Sequence, residues 1–198
     1  MFRIQLEGIY HRSIFTQTYL SVLDKMFPQV AALRREEWPQ MIPFVLTCAA
    51  TFECMLNDTI IDYCSFKFGF KELERYSKSL LFLPLREKFD YVFPFLSGNK
   101  FAIRRESLTY KHIEKLISLR NSLTHNASLH QKGSTKFSAT HDGRRTIIIP
   151  KSKLTVTIQS GLTIRNCTAF LQAVRRINEL LSKRNEWKED DTICRIRP

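Results

Sequence analysis

Glycine and proline are both scarce in this chain, with six and seven residues out of 198. An all-β sandwich needs a turn signal about every 8–12 residues, so that architecture is disfavoured. The cysteines (Cys48, Cys54, Cys64, Cys167 and Cys194) are odd in number and include no C-x-x-C pair. Neither a disulfide framework nor a zinc ribbon is expected, and buried free thiols in a reducing cytosol fit better. Also missing are G-x-x-x-x-G-K-[ST], G-x-G-x-x-G and H-E-x-x-H, so no phosphate loop, dinucleotide fingerprint or zinc protease helix is expected. No run approaches about 18 uninterrupted apolar residues, and "MFRIQLEGIYHRS" carries charge within its first ten positions. The sequence therefore predicts no membrane span, no membrane partner and no signal peptide, and points to the cytoplasm.

Acidic residues thin out along the chain. Residues 1–100 hold 12 Lys+Arg against 11 Asp+Glu, a balance of +1; residues 101–198 hold 19 against 8, a balance of +11. A basic half of this kind favours a polyanionic partner, RNA or another acidic surface. Apolar residues make up 43% of the chain and include 15 Phe, enough for a real core.

Apolar spacing is mostly helical. Leu6, Ile9, Tyr10, Ile14, Leu20, Leu23 and Phe27 predict a long first helix, which Pro28 or the following "RREEWP" should end or re-aim. Ile42, Val45, Leu46, Ala49, Phe52, Leu56, Ile60 and Tyr63 predict a second long helix ending before Gly69. On it, Glu53 and Asn57 sit four apart beside the apolar face. Asp58 and Asp62 also share a face; as a pair they suit Mg²⁺, but a solvated charged face is the commoner meaning of such spacing. Shorter helices are expected over 71–83 and in "PLREKFDYVFPFL", with Pro84 near its start and Pro94 breaking it. Another runs from Leu108 to Thr124, and a terminal helix from Thr163 to about Arg184. Between these two, "TKFSAT", "RRTIIIP" and "KLTVTI" read as short strands, with Asp142-Gly143 as a hairpin turn. The expected architecture is mainly α: a helical bundle of two long helices plus shorter ones, with a small β-hairpin insertion near 134–158. Residues 1–184 form one domain and 185–198 a tail.

The chemistry-bearing stretch is "SLRNSLTHNAS", residues 118–128, which closes the 108–124 helix. Asn121 and His125 are four apart and share a face. Arg120 lies about 140° from His125 on an ideal helix. A straight isolated helix therefore does not close both on one small ligand. A bent last turn, or a second copy across a two-fold axis, does. Arg and His also suit a helix C-terminus as caps.

"RNSLTH", residues 120–125, resembles the signature of the HEPN superfamily (higher eukaryote and prokaryote nucleotide-binding domains): Arg, a polar residue, three variable residues, His. That resemblance implies a helical bundle with two long antiparallel helices and, in many members, a metal-independent ribonuclease working as a homodimer. It also implies an acidic partner on an earlier long helix, for which Glu53 in "TFECMLND" is the natural candidate. The implied catalytic set is Arg120, Asn121, His125 and Glu53, with no cofactor and no metal. RNA carries its own nucleophile, the 2′-OH. Histidine can move the protons and arginine can hold the phosphate oxygens. Arg104, Arg105, Lys111, Lys132, Lys136, Arg144 and Arg145 are candidates to guide the RNA backbone. The implied role is a toxin or antiphage effector, with room for an inhibitory or regulatory protein partner. The alternative is a non-catalytic HEPN scaffold that binds RNA, a nucleotide or a protein.

Overall fold

The computed structural model describes residues 2–69, 72–97, 103–124, 137–139, 145–147 and 160–182; within these, side chains at 2–14, 35–36, 137–139 and 145–147 are not described. The described residues are mostly helical.

The first helix, α1 (Phe2–Ala31), runs straight through Pro28. The sequence allows Pro28 or the following "RREEWP" to end it; the helix passes Pro28 and closes at Ala31, just before that run. The "REEWPQ" stretch follows as a 3₁₀ helix (Arg35–Gln40), steadied where the Arg34 N–H donates to Glu37 Oε2 at 2.7 Å. It hands over to α2 (Met41–Phe68). Gly69 stops α2 as the spacing predicts: at φ +76° it takes a left-handed C-cap and donates its N–H to Ser65 O at 3.1 Å. Phe27 meets Phe44, and Thr16 meets Asp58. Later residues of α1 thus meet earlier residues of α2, so the two long helices are antiparallel.

After α2 come α3 (Leu73–Leu81), α4 (Leu85–Glu87), a π-helix (Lys88–Val92) and α5 (Phe93–Leu96). Pro84 caps α4, as expected. Pro94 does not break the segment. It sits in the first turn of α5, where the missing N–H costs least, and the π-turn before it already shifts the hydrogen bonding to i→i+5, with Phe93 N–H on Lys88 O. Next is α6 (Leu108–Thr124), at the expected bounds. Ser107 caps it, its Oγ accepting the Tyr110 N–H at 3.2 Å. The last helix, α7 (Ile164–Ser182), is capped by Thr163, whose Oγ1 accepts from Asn166 N at 3.2 Å. Two segments between them, β1 (Phe137–Ala139) and β2 (Arg145–Ile147), pair antiparallel, Ser138 opposite Thr146. The rest of 134–158 and the 185–198 tail lie outside the described residues.

The bundle is organised around α2, which packs against α1, α3, α6 and α7. Phe44, Phe52 and Leu56 of α2, Ile113 and Leu116 of α6, and Phe170 and Val174 of α7 are fully enclosed in one core. By length and composition α2 with its lead-in (Glu37–Phe68) is also the one described stretch apolar enough to cross a membrane; more than half of that window is buried in the bundle. The central placement corrects one expectation. Asp58 and Asp62 do not form an exposed charged face: Asp62 is buried, and Asp58 accepts the Thr16 hydroxyl at 2.7 Å. With neighbours on nearly every side, α2 has little solvated face left.

Burial also governs the thiols. Cys48, Cys64 and Cys167 are enclosed and free. Burial raises the Cys167 pKa from 9.0 to about 11 and pushes Cys48 higher still, with the nearby Cys167 adding to the effect.

Candidate functional site

The polar cluster that matters forms where α2, the π-helix and α6 meet. On α2, Phe52 and Leu56 point into the core, which turns Glu53 to the rim, one step round the helix. On α6, the buried Leu119 does the same for Arg120. Gly161 lies against Leu119 so closely that an added Cβ would sit 2.9 Å from Leu119 Cδ1. The residue before Arg120 is thus held by a close approach that only glycine permits.

Glu53 and Arg120 meet across the seam, Arg120 Nη2 at 3.6 Å from Glu53 Oε2, each side chain about one-third exposed. Arg120 Nη1 donates to Asn121 Oδ1 at 3.0 Å. Asn121, a member of the implied catalytic set, therefore steadies the guanidinium. The ion pair is longer than the roughly 2.7–2.9 Å of a charge-assisted hydrogen bond. Arg120 is attracted by Glu53 without spending its donors on it. Of its five N–H donors, the one given to Asn121 is the only hydrogen bond seen among the described residues.

The other oxygen of Glu53 faces a cation that the sequence reading did not single out. Lys88 Nζ lies 3.6 Å from Glu53 Oε1 and donates to Asn57 Oδ1 at 2.8 Å. Its side chain is 2% exposed, rare for a lysine. Burial lowers its pKa, and the Glu53 carboxylate pulls the other way. One carboxylate thus sits between two cations, and the trio keeps a net charge of +1. That charge opens to solvent only on the Arg120 side. It also lies in the last turns of α6, whose dipole alone would repel an anion; the two cations reverse that local sign.

A signal for Lys88 exists in the sequence. Leu85, Phe89, Val92 and Leu96 make the buried stripe, and position 88, three after Leu85, falls on it. A lysine on a core stripe calls for a buried acceptor, and Asn57 and Glu53, four apart on α2, supply two.

His125 follows the last residue of α6 directly and lies outside the described residues, as do Lys132, Lys136 and Arg144. Arg145 is described only as backbone in β2. Arg104, Arg105 and Lys111 are exposed. Of these, Arg105 lines a pocket with Phe89, Asp90 and Tyr110. Among the described residues no three His, Cys, Asp or Glu side chains converge as metal ligands. The geometry in hand is a partly exposed guanidinium, held from two sides and backed by a buried ammonium: an arrangement that can bind one anionic group such as a phosphate. Compared with protein-family models, curated proteins and solved structures, the chain matches none.

Proposed function

We propose that this protein is a metal-independent RNA endonuclease of HEPN type. The 2′-OH of the substrate attacks the adjacent phosphate, and the products carry a 2′,3′-cyclic phosphate and a free 5′-OH. The observation that carries the reading is the Glu53–Arg120 ion pair. It joins the two charged residues singled out on separate helices and leaves the guanidinium turned toward solvent.

In this mechanism Arg120 binds the non-bridging phosphate oxygens and stabilises the added charge of the phosphorane, an effect worth on the order of 10²–10³ in rate for one donor. Asn121 and Glu53 fix its direction. Lys88 holds Glu53 by the opposite oxygen, so that Glu53 does not fold onto Arg120 and neutralise it. His125, the next residue after α6, transfers the protons, a contribution of roughly 10²–10⁴. A two-fold pairing of α6 with its copy brings a second Arg120 and His125 to the same groove, and makes the active species a homodimer in the cytoplasm. The small β-hairpin insertion read near 134–158 carries Lys136, Arg144 and Arg145, whose positive charge can guide the RNA backbone. The biological role consistent with such an activity is a toxin or antiphage effector under the control of a regulatory partner.

The test is cleavage of total RNA in EDTA by the wild type, Arg120→Ala and His125→Ala. Both variants should lose at least about a hundredfold in rate while melting near the wild type. Full activity in either variant defeats the mechanism. A second reading is favoured by the way Arg120 is already braced by Asn121 and Glu53, which also suits holding an RNA phosphate without reacting on it. In that case the wild type leaves RNA intact in EDTA, yet binds it with a steep salt dependence that Arg120→Ala reduces.

A further inference from the structure

The π-helix has two faces. Lys88 serves the cluster just described; its neighbours Phe89 and Asp90 line a pocket of about 170 Å³ together with Tyr110. The volume is below the roughly 300–1,000 Å³ of sites that take drug-sized ligands, and suits a single small ring system. Its walls are flat and apolar. Phe89 and Tyr110 lie nearly parallel, ring centroids 5.4 Å apart, with Phe93 and Ile103 beside them. Arg105 is exposed at its edge.

The buried polar group in this pocket is the Asp90 carboxylate, 7% exposed. Tyr110 Oη donates to its Oδ1 at 2.8 Å, and Arg86 Nε stands 3.5 Å from its Oδ2. A carboxylate has about four lone-pair sites. These partners occupy two and hold the group rigid, which leaves capacity for two more N–H donors. Burial and the Asp90 bond keep Tyr110 protonated well into alkaline solution, so the clamp persists across physiological pH.

We propose that this pocket is a subsite for an unpaired guanine base. Guanine presents two adjacent N–H donors, N1–H and the N2 amino group, on one edge, and a buried carboxylate accepts both at once. Adenine and cytosine offer one exocyclic amino group and uracil a single N–H, so none fills both acceptor sites. The ring slides along the aromatic wall, as bases do on single-strand binding platforms. Arg105 reaches the attached phosphate.

The subsite extends the nuclease reading and rests on it for the polymer that delivers the base. Tyr110 and Arg120 are ten residues apart on α6, about 15 Å along the axis. A short single-stranded RNA spans that distance, one base in the pocket and a phosphate at Arg120.

The test is titration of the full chain with guanosine, adenosine, cytidine and uridine 5′-monophosphates, followed by the shifts of Tyr and Phe ring resonances. Guanosine monophosphate should bind tightest. Asp90→Asn, which swaps one acceptor for a donor, should cost it roughly five- to a hundredfold in affinity and erase the preference. Ile103→Trp, which fills the pocket and leaves the Asp90 bonds in place, should abolish binding of all four while the melting temperature holds. Equal affinity for the four nucleotides, guanine preference surviving Asp90→Asn, or full binding by Ile103→Trp would overturn the proposal. A mononucleotide has no bond for the enzyme to cleave. Loss of the preference with RNA cleavage intact therefore counts against the subsite alone, and an inert enzyme that still prefers guanosine monophosphate counts against the nuclease alone.

Discussion

Removing the Glu53 carboxylate should cost far more in the presence of Lys88 than in its absence. In Glu53→Ala the Lys88 ammonium, 2% exposed, keeps only the Asn57 amide oxygen at 2.8 Å. Breaking a buried ion pair by deleting one partner costs about 3–5 kcal/mol, because the survivor stays charged and desolvated. Glu53 is one-third exposed, so water entering its place offsets part of this, and we expect about 2–3 kcal/mol. For a chain of this length that is a fall in Tm of about 5–10 °C. Lys88→Met behaves differently. It removes a charge that burial already disfavours, fills much the same space, and leaves Glu53 paired with Arg120. Its cost should stay within about 1 kcal/mol. In the Lys88→Met background, Glu53→Ala should then be nearly silent, a coupling of about 2 kcal/mol.

The assay is urea unfolding of the four proteins of that cycle, followed by helical circular dichroism at neutral pH. The sign of a pH effect gives a second check. Burial places the Lys88 pKa below its ordinary 10.5 in the folded chain. Between the lowered value and 10.5 the unfolded chain holds the extra proton, so stability contributed at this site rises with pH. The Glu53→Ala penalty should therefore shrink on the alkaline side. An equal cost for Glu53→Ala in both backgrounds would refute the idea that one carboxylate neutralises a buried lysine.

Other outcomes follow from the same structure. Gly161→Ala should destabilise by about 1–3 kcal/mol, because its Cβ would meet Leu119 Cδ1 at 2.9 Å in a packed seam; Leu119→Val removes both Cδ atoms and should relieve it, as thermal melts of the single and double variants would show. Stability should fall above pH 9, because the unfolded Cys167 thiol ionises at 9.0 while the folded one waits until about 11. The loss from this one group is about 2–3 kcal/mol by pH 11, and Cys167→Ala should flatten that limb of a pH–urea series. Phe52→Ala, deep in the core against Phe89, should cost about 3–5 kcal/mol and disturb the π-helix as well, readable by hydrogen exchange at 88–92.

Much of the scaffold was legible in the sequence. Apolar spacing up to Gly69 marks the end of α2, and the same spacing places the bounds of α6 and the start of α7; Ser107 and Thr163 prove to cap them. Those signals are local, and local physics decides them. At Pro94, which the pattern marks as a break, the helical backbone continues because the preceding π-turn accommodates the ring; α1 passes Pro28 and stops before "RREEWP", the second of the two ends its sequence allows. The Asp58–Asp62 face was misjudged because its burial depends on how many neighbours surround α2, which spacing within one helix does not encode. For the candidate site, Glu53 and Arg120 were found through their motif and their helix faces. Lys88 was passed over because "REKFD" looks like solvated charge until Leu85, Phe89 and Val92 are seen to fix its direction.

The π-turn at Lys88–Val92 carries one residue more than a regular helical turn would hold. That surplus residue sets the angle between Lys88, at Glu53, and Phe93, in the pocket beside Tyr110. Dropping any single position of the turn after Lys88 would rotate the residues beyond it by about 100° against Lys88 and, at all but Val92, remove a charge or a ring as well. In a lineage of such chains, an in-frame loss of one codon there would dismantle both sites together, and substitutions elsewhere would not mend it.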